Sequence, residues 1–355
     1  MPDQDFYTKL INELLTVTAQ EGASDLHLSP GTHPTIRVSG RLVALDQRPI
    51  LDPETLSGLV FAILGERRPR FESEKEIDFS YVLDGARFRV NVYQTRGLYG
   101  VACRYVPDKI LNIDELNLPS VVKIFSKLSQ GFVLIVGPNG HGKSTTLAAL
   151  INLINEERAE KIVTIEDPIE YVFSNQKSII DQRELYQDTL SFHKAIRSTM
   201  RQNVNVIMVG ELRDYETMSA AVSAAETGHL VFATLHTNSA SQTIERIIDS
   251  FPPSQQPQIV TQLANTLSGI VSQRLIPSVK GGLVPAVEVL IANTAIRNLI
   301  RENKIAQINL VIETGQDAGM ISLNKSLADL IRRREISIEQ AEFYSLNPRE
   351  LKQLL

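Results

Sequence analysis

Hydrophobic and polar positions change their period several times along this chain, and each change marks an element. Phe6, Leu10, Leu14 and Val17 recur at helical spacing, which predicts a helix over residues 5–20. Short runs at 25–28, 35–38 and 41–45 follow, separated by Pro30-Gly31 and Ser39-Gly40, and these predict strands joined by turns. A helix is expected over 53–65. Residues 77–82 and 86–92 alternate on either side of Asp84-Gly85, a dipeptide that readily takes the positive φ of a tight hairpin. A further strand spans 100–106 and stops at Pro107. Beyond residue 119 the pattern changes. Apolar runs at 132–136, 162–165, 206–209, 230–234 and 284–290 are separated, in several cases, by helical patterns, as in a parallel sheet covered on both faces. Residues 214–227 form a predicted helix with Gly228 in the stop position. Residues 239–249 open with the capping-box pair Ser239 and Gln242 and end before Pro252-Pro253. From 291 onward the pattern is helical, with turns near Gly315 and Gly319. The expected layout is an α+β domain over 1–106, a linker over 107–118, an α/β core over 119–290 and a helical region over 291–355.

Composition narrows the class. A chain of 355 residues exceeds one ordinary core. No run approaches the roughly 18 apolar residues of a membrane span, and the acidic start, Met1-Pro2-Asp3-Gln4-Asp5, lacks the apolar region of a signal peptide, so a cytoplasmic protein without direct membrane insertion is expected. One cysteine, Cys103, excludes an intramolecular disulfide and a cysteine-built zinc site. A net charge of −5 argues against a broad nucleic-acid footprint, and Arg332-Arg333-Arg334 reads as a solvated helix face.

The candidate chemistry sits at strand ends. After the run 132–136, the residues Gly137, Pro138, Asn139, Gly140, His141, Gly142, Lys143 and Ser144 fit G-x-x-x-x-G-K-[ST], and Thr145 continues into a helix with Leu147, Leu150, Ile151 and Ile154 at helical spacing. A triphosphate needs many N–H donors close together, which glycines permit and side chains block. The following helix aims its positive end at the phosphates. Lys143 would reach the β/γ-phosphates, and Ser144 would ligate Mg²⁺. ATP and Mg²⁺ are the expected cofactors. After 162–165 come Glu166, Asp167 and Glu170, where Glu166 or Glu170 could orient or deprotonate an attacking water. After 206–209 comes Gly210 where an aspartate usually stands, so Glu211 is expected to serve the metal through a water. His229 and His236 flank the run 230–234. His236 falls at the phosphate end, able to sense the γ-phosphate or meet a neighbouring subunit, while His229 reads equally well as a structural histidine. Arg87, Arg89, Arg96 and Arg104 cluster on strands of the first domain, where one could neutralise the transferring phosphate.

Together these motifs resemble the type II/IV secretion ATPases, and specifically the PilT-type ATPases of twitching motility, over nearly the whole chain. Residues 137–145 are similar to that family's Walker A, 164–170 to its Asp box, 207–214 to its atypical Walker B with the glycine included, 227–237 to its His box, and 295–302 (Ala-Ile-Arg-Asn-Leu-Ile-Arg-Glu) to the signature of retraction motors. The resemblance implies a PAS-like N-terminal domain, a RecA-like P-loop ATPase domain with a helical C-terminal region, and a homohexamer that binds ATP between the domains. It implies a motor that retracts type IV pili, docked at the cytoplasmic face of the inner membrane on the platform protein of the pilus machine. It further implies Glu170 as base, Glu211 on Mg²⁺, and Arg89 and Arg104 as the arginines that complete a site. Asn139 and His141 depart from the family's Thr and Ser. The rival readings are a pilus-extension or type II secretion ATPase, which usually carries a four-cysteine zinc element, a non-hydrolysing regulator of pilus assembly, and a nucleic-acid translocase, which the acidic balance opposes.

Overall fold

The computed structural model describes residues 4–38, 40–106 and 109–355. The chain divides into two compact units: Met1–Lys109 with Asp167–Val172, and Ile110–Glu166 with Phe173–Leu355. Pro107 and Asp108, the start of the expected linker, lie outside the described residues; its later part, from Ile110, belongs to the second unit, with Ile113 and Leu118 buried.

The first unit is α1 (Gln4–Gln20), β1 (Asp25–Leu28), β2 (Thr35–Val38), β3 (Arg41–Ala44), α2 (Pro53–Leu64), α3 (Arg68–Glu74), β4 (Glu76–Leu83), β5 (Ala86–Thr95) and β6 (Leu98–Val106). Its antiparallel sheet runs β3-β2-β1-β6-β5-β4. Alternation sends Leu26, Phe79, Phe88, Val90 and Cys103 to one face, where they form one core with Ile11, Leu14, Leu56 and Val60 of α1 and α2. The opposite face carries a polar row set by register: Ser80 pairs Arg89, Arg89 pairs Arg104, Arg104 pairs Asp25, and Asp25 pairs Arg37.

The second unit contains β7 (Gly131–Val136), α4 (Lys143–Glu157), β8 (Lys161–Glu166), β9 (Ile179–Glu184), α5 (Phe192–Thr199), β10 (Val206–Val209), α6 (Tyr215–Glu226), β11 (Leu230–Leu235), α7 (Ala240–Asp249), α8 (Gln256–Thr266), β12 (Leu267–Pro277) and β13 (Leu283–Ile291). Helices α9 (Thr294–Arg301), α10 (Ile308–Thr314), α11 (Leu323–Arg332), α12 (Ile338–Tyr344) and α13 (Pro348–Leu354) complete it. The seven-stranded sheet runs β13-β12-β7-β11-β10-β8-β9. Strands β7 and β11 are buried at every residue, as expected for central parallel strands covered on both faces. The layout is a mixed α/β fold.

Two strands lie outside the sequence expectation, and one runs the other way. Strand β9 reads Ile-Ile-Asp-Gln-Arg-Glu, too polar to stand out, because it is an edge strand with one open side. Asn175 and Asp188 cover part of that side by accepting from the N–H groups of Ile180 and Glu184. Strand β12 is broken in pattern by Ser268, Gly269, Ser272 and Gln273, yet it pairs parallel with β7 and so lies directly beside the strand that carries the glycine turn. Strand β13 is antiparallel to β12, so the sheet is mixed and not wholly parallel. Helices α11–α13 pack on this β12–β13 hairpin through Ile276, Val284, Leu327, Ala341 and Leu351.

Candidate nucleotide site

At the end of β7 the backbone turns at Gly137, with φ 148°. A Cβ there would lie 2.3 Å from the Gln273 carbonyl oxygen, so the neighbouring backbone of β12 requires glycine at this point. Asn139 and Gly140 form the exposed tip of the loop. Gly142 is left-handed, with φ 77°, and caps α4 with no side-chain acceptor, so the helix presents backbone N–H groups rather than a filled cap. Ser144 and Thr145 lie in the first turn of α4. This loop and helix end fit a polyphosphate: donors converge and the positive end of the helix dipole lies behind them.

Lys143 is only 8% exposed, and its ammonium is held inside the loop. It donates to the carbonyls of Gly137 at 2.8 Å and Pro138 at 2.9 Å, and it lies 3.1 Å from Nδ1 of His236. An ammonium has no acceptor, so Nδ1 must accept and the ring proton must sit on Nε2. Nε2 lies 2.9 Å from Oε1 of Glu211, and the other Glu211 oxygen accepts from Nε of Arg213 at 2.9 Å. A directional chain therefore runs from Lys143 through His236 to Glu211, which also accepts from Arg213. It joins the ends of β7, β11 and β10, adjacent parallel strands whose carboxyl ends share one edge of the sheet. Gly210, which displaces the acid by one residue, has a steric reason. A Cβ there would be 3.2 Å from the Ile165 carbonyl, to which the Gly210 N–H donates.

His141 is fixed by the adjacent strand. Its Nδ1 accepts from the backbone N–H of Leu275 at 2.9 Å, and its carbonyl accepts from Nε2 of Gln273 at 2.9 Å. Burial, then the charges of Arg274 and Lys143, hold its pKa below the usual histidine value, which keeps Nδ1 an acceptor. Thr146 Oγ1 donates to the other end of the Gln273 amide at 2.7 Å.

The two candidate bases are held in different settings. Glu166 ends β8 in the second unit, is 6% exposed, and its Oε1 accepts from Thr164 at 2.7 Å and Gln182 at 3.1 Å. Glu170 belongs with Asp167–Val172 to the first unit. Its carboxylate lies 3.4 Å from Nη1 of Arg89, and both side chains are about one-third exposed, at 34% and 36%. Arg87 donates to the Ile169 carbonyl at 3.1 Å, so β5 grips this segment at two points. Arg104 instead pairs with Asp25 at 2.9 Å and keeps a 67% exposed side chain.

His229 is not brought to the phosphate end. It precedes β11, and its Nδ1 lies 3.0 Å from the Ala224 carbonyl, one of the last in α6. Six residues of strand separate it from His236, roughly 20 Å. Within one chain it belongs to the opposite edge of the sheet.

Sequence reasoning missed Gln273, Leu275 and Arg213. Only Arg213 carried a signal, two residues from Glu211. The segment 295–302 forms α9 with Ile296 and Ile300 fully buried and Leu299 packed on the core, as its periodicity predicts. Arg297 donates to the Asn265 carbonyl at 2.6 Å and Arg301 to the Asn265 side chain at 2.8 Å, tying α9 to the end of α8.

Comparison with known proteins places this arrangement. The family model described as type II/IV secretion system protein matches residues 87–340. The chain is 45% identical over 334 residues to the type IV pilus retractation ATPase PilT of Pseudomonas aeruginosa, covering 93% of this chain and 96% of that protein. It is 45% identical over 311 residues to the twitching motility protein of Neisseria gonorrhoeae, covering 87% and 83%. The crystal structure of the pilus retraction motor PilT with bound ADP superposes with a TM-score of 0.88 at 44% identity, over 96% of this chain and 98% of that one.

Proposed function

This chain belongs to the type II/IV secretion system protein family, within it to the PilT-type ATPases, and on that premise we propose that it is a Mg²⁺-dependent, homohexameric ATPase motor that retracts type IV pili. The observation that carries the ATPase reading is the hydrogen-bonded chain from Lys143 through His236 to Glu211, which ties the phosphate-binding lysine to the strand-end acid. In this reading the first unit is PAS-like and the second RecA-like. The motor works at the cytoplasmic face of the inner membrane against the pilus platform protein.

The residues fit the expected cofactor. Ser144 and Glu211 offer a hydroxyl and a carboxylate, the hard oxygen donors that suit Mg²⁺ beside water and phosphate oxygens. Bound there, the ion would neutralise charge on the β- and γ-phosphates. Lys143 needs only to exchange loop carbonyls for phosphate oxygens to serve the nucleotide. His236 then keeps Glu211 oriented through Nε2 while Nδ1 faces the lysine. Glu170 is the assigned base because its carboxylate is partly exposed and held by an arginine, whereas the Glu166 carboxylate is committed to Thr164 and Gln182. Arg89 and Arg104 supply positive charge to the transferring group.

The purified chain is expected to assemble as a hexamer by light scattering and to hydrolyse ATP only with a divalent cation. A hexamer without turnover removes the motor reading. Deletion in the native host sets the direction of work. Abundant surface pili that no longer retract agree with the proposal, and bald cells assign an extension motor instead.

A further inference from the structure

Strand β12 touches the phosphate loop at more points than a neighbouring strand needs for pairing. Gln273 and Leu275 lie just beyond Ser272, the last residue of β12 that pairs with β7. Gln273 is 3% exposed, and both ends of its amide are used: Nε2 donates to the His141 carbonyl at 2.9 Å and Oε1 accepts from the Thr146 hydroxyl at 2.7 Å. Leu275 contributes its backbone N–H to the His141 ring at 2.9 Å. The loop is thus gripped before Lys143, at the carbonyl and imidazole of residue 141, and after it, at residue 146. The Gln273 main chain also presses on Gly137 at the loop's start. A buried amide costs stability unless both of its ends are bonded, and both partners here belong to the loop and its helix.

We propose that Gln273 is a positioning residue for nucleotide binding and that His141 is its second anchor, together holding the loop between Gly137 and Thr146 in its phosphate-binding shape. The inference rests on the ATPase reading of the same loop. Gln273 touches no phosphate in this scheme; it fixes the carbonyl that precedes Gly142 and so the direction of the N–H groups that follow. The His141 ring extends the grip outward to Leu275 through an acceptor nitrogen. The strand that carries both contacts also packs against α11–α13, so the loop is braced by the same hairpin that seats the C-terminal helices.

The test is nucleotide affinity measured with a fluorescent ATP analogue, alongside KM, kcat and thermal melting, on the full chain. Gln273→Ala loses a buried donor and acceptor together and is expected to weaken nucleotide binding roughly tenfold and raise KM to match, with kcat changed less. His141→Phe keeps a ring but removes the acceptor, and should weaken binding several-fold. His141→Asn, which retains an acceptor, should recover part of that loss. The double variant should lose less than the two singles predict, because both hold one loop. If Gln273→Ala melts lower while binding nucleotide as the unmodified chain does, the residue is only a packing element and the proposal fails. If Gln273→Ala does not fold, the contrast between His141→Phe and His141→Asn decides alone, and equal affinities overturn it. An unmodified chain that binds no nucleotide refutes the underlying ATPase reading instead, an outcome distinct from any of these.

Discussion

The phosphate loop and the acidic segment both begin at the carboxyl end of a parallel strand, β7 for one and β8 for the other, yet they are held in opposite ways. Every contact described for the loop comes from the unit that contains it: Gln273 and Leu275 on one side, and His236, itself held by Glu211, on the other. The acidic segment leaves its own strand after Glu166, and Asp167–Val172 joins the other unit, with Arg87 and Arg89 on Ile169 and Glu170. The lysine proposed to bind phosphate and the carboxylate proposed to activate water thus belong to different units. A loop braced by its own sheet is pre-organised. In the proposed mechanism, a base carried by the first unit would couple turnover to that unit, as a motor requires of its chemistry.

The strongest way to break this comparison is to remove each group in turn. Glu170→Gln is expected to leave nucleotide affinity within about twofold and to lower kcat on the order of 10²–10⁴-fold, the range for loss of a general base. Lys143→Ala should do the reverse in kind, with nucleotide binding itself lost. Steady-state hydrolysis and equilibrium binding on the same preparations check both. If Glu170→Gln turns over as the unmodified chain does while Glu166→Gln is inactive, the base belongs to β8 and the contrast between the two bodies disappears.

Some of this was legible in the sequence, and the limits are physical. The loop was visible because its chemistry is written in backbone: glycines at 137, 140 and 142 are needed wherever a chain must turn with positive φ against a ligand and a neighbouring strand. The strand ends were visible because buried parallel strands are apolar throughout. Gln273 was invisible because a single amide in β12 looks like a break in a pattern and its partners lie more than a hundred residues away. That Glu170 and Glu166 belong to different units has no local signal either, since the boundary falls within five consecutive residues and the contacts to Ile169 and Glu170 come from Arg87 and Arg89, some eighty residues away. The two histidines are an intermediate case. The apolar run 230–234 already placed His236 at the phosphate end and His229 before the strand, and the six residues of β11 keep the two at opposite ends of that strand.

A sharper test concerns the link between the loop and the β10 strand end. His236→Ala breaks the bridge from Lys143 to Glu211 and leaves the ammonium and the carboxylate without their shared partner. The expected loss in kcat/KM is on the order of 10–100-fold, carried mainly by kcat, because Gly137 and Pro138 still hold the lysine in place. His236→Gln offers a donor and an acceptor at similar reach and should recover part of the activity. If Ala and Gln behave alike, the bridge is not what positions Glu211.

The smallest expected effect lies behind the loop and is read as stability rather than turnover. Glu288 on β13 is 8% exposed, and its Oε1 accepts the Ala240 N–H at 2.6 Å, at the start of α7 just beyond His236. Burial pushes its pKa up to about 7, against the lowering by the Ala240 N–H and Arg274; Glu313 adds a smaller upward push. A carboxyl raised in the folded chain binds its proton more tightly there than when unfolded. Its contribution is therefore fully present below the ordinary carboxyl range and is lost as pH rises through about 7. Melting temperature should fall across that window and flatten above it, with the opposing histidine His141, whose lowered pKa favours stability at higher pH, offsetting part of the slope. Glu288→Gln keeps an acceptor for Ala240 and cannot ionise. It should melt a few degrees above the unmodified chain at pH 8 and show no advantage near pH 4.5. A variant that loses stability at pH 8 would show that the ionised carboxylate is needed at the start of α7.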